Sequence, residues 1–311
     1  MRSETKDLKA PQHLGEIKKL PRKQEFLVLK QTISGGQLAA RLDANGLPLA
    51  GATTGFSPLV YPSAIAVRGT DLYIADSGAR KLYRYDTDMQ IMSVVPGEDA
   101  WPWTQMQVGA DRSLFVLDSA RAVIRHYPLS EQQPRILGDP LVAASLDGFV
   151  VDEHLGGIVA SDNLNHRLLT FNPLGGAGWS IGQAAELPSL GDMASDGRIV
   201  YAIDNGCACI VAMDEAGRVH GRIGRGELTQ PRELAADRYG HIFVYDAATR
   251  TLKVFLRGKM VASFGTQALH CTEISALAVD EDMLYIADGP GAQVLAFLIQ
   301  TPIEEWGAVG K

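Results

Sequence analysis

Aspartate recurs along this chain at a nearly constant spacing. Consecutive members of the series lie 42, 44, 42, 42 and 42 residues apart. Each closes a short apolar run such as YIAD, FVLD or FVYD, and a second β-rich segment begins five to six residues later. The series consists of Asp76, Asp118, Asp162, Asp204, Asp246 and Asp288. A period in the low forties with several short strands per unit predicts an all-β chain, a β-propeller with six recognisable four-stranded blades.

The repeated aspartates also set the register of the strands within each unit. The innermost strands are predicted at 62–67, 105–111, 146–152, 190–196, 231–237 and 274–280. The second strand ends at the aspartate, the third follows a short turn, and a fourth completes the blade, as at 91–95 and 259–265. The last unit is predicted to complete itself, because residues 296–307 align with residues 254–265. The clear repeats therefore cover residues 62–307.

The N-terminal part fits the repeat less well. Residues 1–24 are polar and rich in lysine, without the hydrophobic centre of a secretory signal, and we expect them to form a flexible arm. Residues 26–52 look like strands of an eroded unit, with Ile33 at the position of the aspartate. This segment either closes the ring as an outer strand pair or forms a degenerate seventh blade. We favour six blades with closure, since an open edge strand promotes aggregation, and we predict a single propeller domain over 25–311.

Charge is distributed unevenly along the chain. Residues 1–30 carry a net charge of +4, and the remainder carries −11. An acidic body argues against a nucleic-acid partner, which needs a basic surface. No stretch has the roughly 18 consecutive apolar residues that cross a bilayer, so we expect no transmembrane segment. These features fit a cytoplasmic protein, or a periplasmic protein or lipoprotein whose signal has been removed.

The three cysteines do not form a disulfide framework. Cys207 and Cys209 are two residues apart near the start of a strand, where we expect them to share a face without bridging easily. Cys271 is distant from both in the sequence. Because there is no C-x-x-C pair and no cluster of histidines, a zinc site is not expected.

The third unit, ASDNLNHRLLTFNPLG at 160–175, resembles the NHL repeat. In that repeat an apolar strand is followed by Asp, then Ser or Asn, a short turn, His-Arg, and finally Ile or Leu and an aromatic residue. The matching residues are Asp162, Asn163, His166, Arg167, Leu168 and Phe171. The resemblance implies the propeller fold. It implies protein binding, RNA binding and hydrolase activity alike, because the repeat carries all three.

We interpret the repeated aspartates as structural residues. An aspartate at a strand end can accept hydrogen bonds from backbone N–H groups in the following turn. The same residue in every blade indicates the same structural task in every blade, rather than a catalytic or metal-binding ring. Function is expected where the blades differ from one another.

The innermost strands, which face the central channel, differ at one position. At the equivalent position, three or four residues before the predicted strand end, the six units have Ala64, Gln107, Gly148, Asp192, Glu233 and Ala276. Gln107, Asp192 and Glu233 are therefore candidate ligand-binding residues. Asp147 lies one residue away from its blade's position and is a further candidate. Asp192 and Glu233 lie in adjacent blades, where they could hold a Ca²⁺ or Mg²⁺ ion, share one proton, or remain solvated acids at the channel mouth.

A second candidate binding surface is the loop at 96–104, PGEDAWPWT. Trp101 and Trp103 flank a proline in this loop between the first and second units. Two exposed indoles would bind a peptide, a sugar or an apolar side chain of a partner. The alternative is that they pack under the loop as a local core.

The sequence leaves two main functions open. The first is a soluble bacterial NHL-type propeller that is not an enzyme, needs no cofactor, and acts as a binding scaffold for a protein or peptide partner. The second is a metal-dependent hydrolase or lactonase similar to the gluconolactonase propellers, with Asp192, Glu233 and Asp147 around Ca²⁺ or Mg²⁺. The Asn-Gly pair typical of that family is displaced here to Asn205-Gly206. RNA binding ranks third because the body is acidic.

Overall fold

Strands make up nearly all of the regular structure. The computed structural model describes residues 26–43, 49, 53–95, 103, 105–129, 133–137, 145–152, 157–171, 177–181, 187, 189–214 and 217–300. Within these ranges the strands form six sheets, which confirms the predicted all-β propeller with six four-stranded blades. No helix in the described part of the chain is long and apolar enough to cross a membrane. The predicted arm at 1–24 lies outside the described residues.

The first strands come from the N-terminal segment, and blades 1 to 3 follow in chain order. The segment contains β1 (Leu27–Ile33), β2 (Gly35–Ala39) and β3 (Thr53–Pro58). Blade 1 contains β4 (Pro62–Arg68), β5 (Asp71–Asp76), β6 (Lys81–Asp86) and β7 (Ile91–Val94). Blade 2 contains β8 (Gln105–Val108), β9 (Leu114–Asp118), β10 (Val123–Tyr127) and β11 (Arg135–Leu137). Blade 3 contains β12 (Leu146–Asp152), β13 (Gly157–Asp162), β14 (Arg167–Phe171) and β15 (Ala177–Ile181).

Blades 4 to 6 have the same order, with the innermost strand first. Blade 4 contains β16 (Leu190–Ser195), β17 (Val200–Asp204), β18 (Cys209–Met213) and β19 (Val219–Ile223). Blade 5 contains β20 (Pro231–Ala236), β21 (His241–Asp246), β22 (Thr251–Leu256) and β23 (Lys259–Gly265). A short 3-10 helix (Thr266–Leu269) leads to β24 (Ala276–Asp280), β25 (Met283–Asp288) and β26 (Gln293–Ile299) of blade 6.

Apolar side chains pack between neighbouring blades. Because each blade is covered on both faces, its second strand is mostly buried, and β5 and β21 are buried along their whole length. The cluster between blades 5 and 6, for example, includes Phe243, Leu284 and Phe297. The innermost strands contact one another in turn from β4 through β24 and back to β4, which forms a closed ring around the channel.

Strand β1 closes this ring as the outermost strand of blade 6. It pairs antiparallel with β26, so that Leu27 lies opposite Ile299 and Ile33 lies opposite Val294. Of the two predicted alternatives, closure is therefore confirmed, and the described residues form no seventh blade. The prediction that the last unit completes itself is wrong, because β1 occupies the outer edge of β26. Residues 301–311 lie outside the described part.

The remainder of the N-terminal segment extends blade 1. Strand β2 pairs in parallel with β7, and β3 pairs antiparallel with β2. Blade 1 therefore becomes a six-stranded sheet in the order β3-β2-β7-β6-β5-β4. The predicted outer strand pair is thus divided, since β1 joins blade 6 while β2 and β3 join blade 1. The segment links the two blades on either side of the seam.

The turn after each repeated aspartate has the same backbone conformation. The fourth residue after the aspartate is left-handed in all six blades, with φ between 47° and 53°. These residues are Arg80, Ala122, His166, Ala208, Arg250 and Ala292. In blade 4 the left-handed Ala208 lies between Cys207 and Cys209, whose Cα atoms are 5.2 Å apart and whose sulfurs form a disulfide. The prediction that these cysteines do not easily bridge is wrong, because the left-handed turn brings their side chains together.

Candidate functional site

The innermost strands surround a cavity of about 220 Å³ in the central channel. All six blades contribute to its wall, and most of the lining side chains are Ala, Val and Met. Of the residues that differ between blades, Gln107, Asp192 and Glu233 line the cavity. At the same position, Gly148 lets blades 3 and 4 approach, because a Cβ there would lie 2.1 Å from the Gly191 carbonyl oxygen. The sequence therefore identified the channel-facing position correctly.

Irregular pairing near the start of the innermost strands helps to place the two channel acids. In β16 the register with β17 shifts between Leu190 and Met193, next to Asp192. In β20 the register with β21 shifts between Pro231 and Glu233. A bulge of this kind redirects the side chain beside it. The same irregularity occurs in β4 and β12, so it belongs to the repeat.

Asp192 is held by two backbone N–H groups. One carboxylate oxygen accepts from the Met193 N–H at 2.9 Å, and the other accepts from the Leu234 N–H of blade 5 at 2.7 Å. The second bond joins the innermost strands of blades 4 and 5 and brings the carboxylate next to Glu233. Both acidic residues retain some exposed surface toward the channel, although protein atoms surround them closely.

This environment raises the pKa of both acids. Burial raises the pKa of Asp192 to about 7, although its two backbone hydrogen bonds oppose the shift. Burial also raises the pKa of Glu233 well above its usual value, and the nearby Asp192 charge raises it further. Two adjacent acids that are poorly solvated cannot both ionise easily, so the pair retains a proton near neutral pH.

The predicted ligand residue Gln107 is engaged with the backbone. Its side-chain N–H₂ donates to the Phe149 carbonyl at 2.9 Å, and its Oε1 accepts from the Val151 N–H at 2.8 Å. Gln105 makes parallel bonds, to the Phe149 N–H and the Met193 carbonyl, both at 2.8 Å. The two glutamines therefore connect the innermost strands of blades 2, 3 and 4 across the channel.

Asp147 lies apart from the acid pair. Its side chain is exposed, and it is not among the residues that line the cavity. Its carboxylate accepts from the Asn163 side chain at 2.7 Å and from the Ser145 hydroxyl at 3.2 Å. The structure thus brings Asp192 and Glu233 together but leaves Asp147 outside this cavity.

The channel offers few free oxygens to a hard cation. Ca²⁺ takes six to eight oxygen ligands, and Mg²⁺ needs near-octahedral geometry. Both Asp192 oxygens already accept backbone N–H groups, and so does Gln107 Oε1. Among the described lining side chains, only Glu233 has a carboxylate without such a bond. This donor set fits neither ion well.

The repeated aspartates are structural, as the sequence predicts. All six are buried. Asp76 accepts from the Ala79 N–H in the following turn at 2.9 Å, and it also accepts the Val60 and Tyr61 N–H groups of the loop that enters blade 1, at 2.7 and 2.9 Å. The aspartate therefore fixes two loops on one face of the propeller, and the six side chains form no shared ring.

The two tryptophans of the predicted binding loop cannot be treated alike. Trp103 is buried, with 8% of its surface exposed, and it packs against Tyr73, Met106 and other apolar residues between blades 1 and 2. Of the two predicted alternatives, packing under the loop therefore describes Trp103, and Trp103 offers no exposed indole to a partner. Trp101 lies outside the described residues.

An exposed apolar pair lies in the loop that enters blade 1. Val60 is 52% exposed and Tyr61 is 41% exposed. The equivalent residues, whose N–H groups bind the aspartate in the same way, are Thr229 and Gln230 in blade 5 and Thr272 and Glu273 in blade 6. Sequence reasoning missed this difference, although aligning the loops before the innermost strands would have revealed it.

Comparison with known proteins identifies the fold only. No known family matches the chain, and no curated protein matches it. A catalytically inactive virginiamycin B lyase from Staphylococcus aureus with quinupristin has a TM-score of 0.59 at 10% identity, over 77% of this chain and 95% of that chain. A gluconolactonase from Xanthomonas campestris has a TM-score of 0.59 at 15% identity, over 78% and 87%. The WD40 propeller domain of Doa1 has a TM-score of 0.56 at 11% identity, over 89% and 100%.

Proposed function

We propose that this protein is a non-catalytic propeller of the NHL type that acts as a binding scaffold for a protein or peptide. The NHL assignment is supported by the motif in the third unit and by the identical left-handed turn in all six blades. In the third unit Arg167 binds Asp162 at 2.9 Å, so the motif's basic residue serves the repeated aspartate. The acidic charge of the body favours a partner with basic residues.

The observation that carries this proposal is the exposed pair Val60 and Tyr61. The fold does not require apolar residues there, because the same backbone position is polar in blades 5 and 6. The backbone is also rigid, since Asp76 holds both N–H groups. Tyr61 lies over the turn of blade 6, where a Cβ on Gly289 would be 2.7 Å from its ring. Pre-ordered, exposed aromatic and aliphatic side chains are typical anchors of protein interfaces.

The test uses peptides selected from a random library on the immobilised wild-type protein, with affinities then measured by calorimetry. We expect the double variant Val60→Ala/Tyr61→Ala to bind the selected peptides at least about tenfold more weakly, because truncating anchor residues commonly costs more than about 1.4 kcal/mol. The melting temperature should fall by only a few degrees, since about half of each side chain is exposed.

A matched control is available on blade 5. Met260 and Val261 are also adjacent, apolar and exposed, at 43% and 42%, but lie on the outermost strand. Met260→Ala/Val261→Ala should leave peptide affinity within about twofold. A library that yields no binder, or binders equally weakened by both double variants, contradicts the proposed surface.

The proximity of Asp192 and Glu233 in the channel is the one observation behind a second candidate function, a metal-dependent hydrolase or lactonase. Its test is thermal unfolding across a concentration series of Ca²⁺ and Mg²⁺, since a ligand that binds only the folded state raises stability by RT ln(1 + [L]/Kd). We expect no saturable rise in melting temperature, because the Asp192 oxygens are already occupied by backbone N–H groups. A saturable rise that disappears in Glu233→Gln would instead support the hydrolase.

A further inference from the structure

The turn after Asp204 in blade 4 differs chemically from its five counterparts. Five residues after the aspartate, the other blades have Lys81, Val123, Arg167, Thr251 and Gln293. Arg167 and Gln293 bind their aspartates directly, at 2.9 and 3.0 Å. Blade 4 has Cys209 at this position and Cys207 two residues earlier. Cys209 therefore lies where blades 3 and 6 place a side-chain hydrogen-bond donor to the aspartate.

The sulfurs and the aspartate form a compact cluster. One oxygen of the Asp204 carboxylate and both Sγ atoms lie within 4.8 Å of one another. Asp204 and Cys209 are buried, whereas Cys207 is partly exposed. The carboxylate accepts the Gly206 N–H at 2.9 Å, and Arg222 Nε lies 3.6 Å away. Among the residues that the structure describes, Asp204 thus has fewer close partners than Asp246, which accepts two loop N–H groups and the Lys253 ammonium.

The disulfide adds little as a stabilising crosslink. The stabilisation that a disulfide gives by restricting the unfolded chain increases with the length of the loop that it closes. Cys207 and Cys209 enclose a single residue, so this contribution is near its minimum. A dithiol beside a buried carboxylate has a different chemical use, because thiolate and carboxylate are common Zn²⁺ ligands.

We propose that Asp204, Cys207 and Cys209 form a metal site for Zn²⁺ or a similar thiophilic divalent ion, available only when the disulfide is reduced. A dithiol reductant supplies two electrons and two protons, breaks the Cys207–Cys209 bond, and itself becomes a disulfide. Metal binding then displaces the two thiol protons into solvent. Two thiolates and the Asp204 carboxylate provide three ligands, and a water molecule on the exposed side of Cys207 provides the fourth.

Arg222 affects the equilibrium between the disulfide form and the reduced, metal-bound form. In the disulfide form its guanidinium lies near the Asp204 carboxylate and partly neutralises it. The Arg222 side chain is 29% exposed, so it can move toward solvent when a cation takes its place. The site should therefore bind a metal more weakly than a structural site with four protein ligands.

The experiment compares oxidised protein with protein reduced by dithiothreitol and freed of reductant under anaerobic conditions. Thiol titration should show two more thiols in the reduced protein. Cd²⁺ should then bind at one equivalent per chain, with thiolate-to-metal ultraviolet absorption that Zn²⁺ displaces, and the oxidised protein should show none. Cys207→Ser should abolish the absorption, whereas Cys271→Ser, which changes a buried cysteine outside the cluster, should retain it.

Three results would overturn the proposal. The native disulfide could resist dithiothreitol, the reduced protein could show two new thiols without Cd²⁺ absorption, or the absorption could persist in Cys207→Ser. The comparison of oxidised and reduced wild-type protein needs no variant, so it decides the question even if a substitution impairs folding. The peptide-binding experiment depends on neither cysteine, so the two proposals succeed or fail separately.

Discussion

Asp246→Ala is expected to lower the free energy of unfolding by about 4 kcal/mol, since removing one member of a buried, hydrogen-bonded ion pair leaves the other uncompensated. Asp246 is completely buried and accepts the Thr229 and Gln230 N–H groups at 3.1 and 2.9 Å. The buried Lys253 ammonium donates to it at 2.6 Å. The substitution leaves the buried Lys253 ammonium without its carboxylate, and it leaves two partly buried backbone N–H groups without their acceptor.

The same contacts predict the pH dependence of this contribution. Burial alone would raise the pKa of Asp246, but the hydrogen bonds from Lys253, Gln230 and Thr229 outweigh it and lower the pKa. An acid with a lowered pKa stabilises the folded state above its unfolded pKa of about 4. The difference between wild type and Asp246→Ala should therefore shrink as the pH falls below about 4.

Urea unfolding at pH 7 measures this effect, and Asp214→Ala is the control. Asp214 forms an ion pair with Arg218 at 2.8 Å, but the Arg218 side chain is 79% exposed. An exposed pair of this kind contributes less than about 1 kcal/mol. Equal decreases in the free energy of unfolding for the two variants would show that the buried network of Asp246 contributes no more than an exposed ion pair.

The second large effect is expected from Glu233→Gln, which should stabilise the protein at pH 8 by about 2 kcal/mol after allowance for solvent in the channel. The folded state raises the pKa of both Glu233 and Asp192, whereas in the unfolded chain both ionise near pH 4. Above that pH the folded protein binds more protons than the unfolded chain. Wild-type stability should therefore fall as the pH rises from about 4 through about 7.

Glutamine at position 233 removes this proton linkage for one member of the pair. The pH profile of the melting temperature should be flatter in Glu233→Gln, and the two proteins should converge below pH 4. Asp192→Asn should not stabilise, because its amide N–H₂ would face the Met193 or Leu234 N–H. Glu227→Gln, at an exposed position, should follow wild type at every pH. Parallel profiles for wild type and Glu233→Gln would contradict the raised pKa.

The repeat explains why so much of the fold could be predicted. Six copies of one pattern constrain each other's register, so the predicted innermost strands at 62–67 and 231–237 nearly match β4 (Pro62–Arg68) and β20 (Pro231–Ala236). The structural role of the repeated aspartates follows from the same symmetry. The predicted closure did not specify which strand β1 would join, because the pairing of Leu27 with Ile299 is non-local and no nearby residue encodes it.

The sequence predicted where the candidate site residues lie, but it did not predict their hydrogen-bond partners. The alignment placed Asp192, Glu233 and Gln107 in the channel correctly. It could not show that backbone groups occupy Asp192 and Gln107, since these bonds depend on the distance between neighbouring blades. The Cys207–Cys209 disulfide was missed because it needs a left-handed backbone at Ala208, and an alanine gives no sign of that conformation.

The position of β1 has a consequence for protein synthesis. Leu27 is translated 272 residues before its partner Ile299, which at about 5–20 residues per second is roughly 14–54 s. During this time β1 has no partner strand, while the blades can form in order behind it. The exposed Lys30 near the middle of β1 discourages pairing with other nascent chains, as charged residues do on edge strands. The ring can therefore become a closed, cooperative unit only after β26 has been translated.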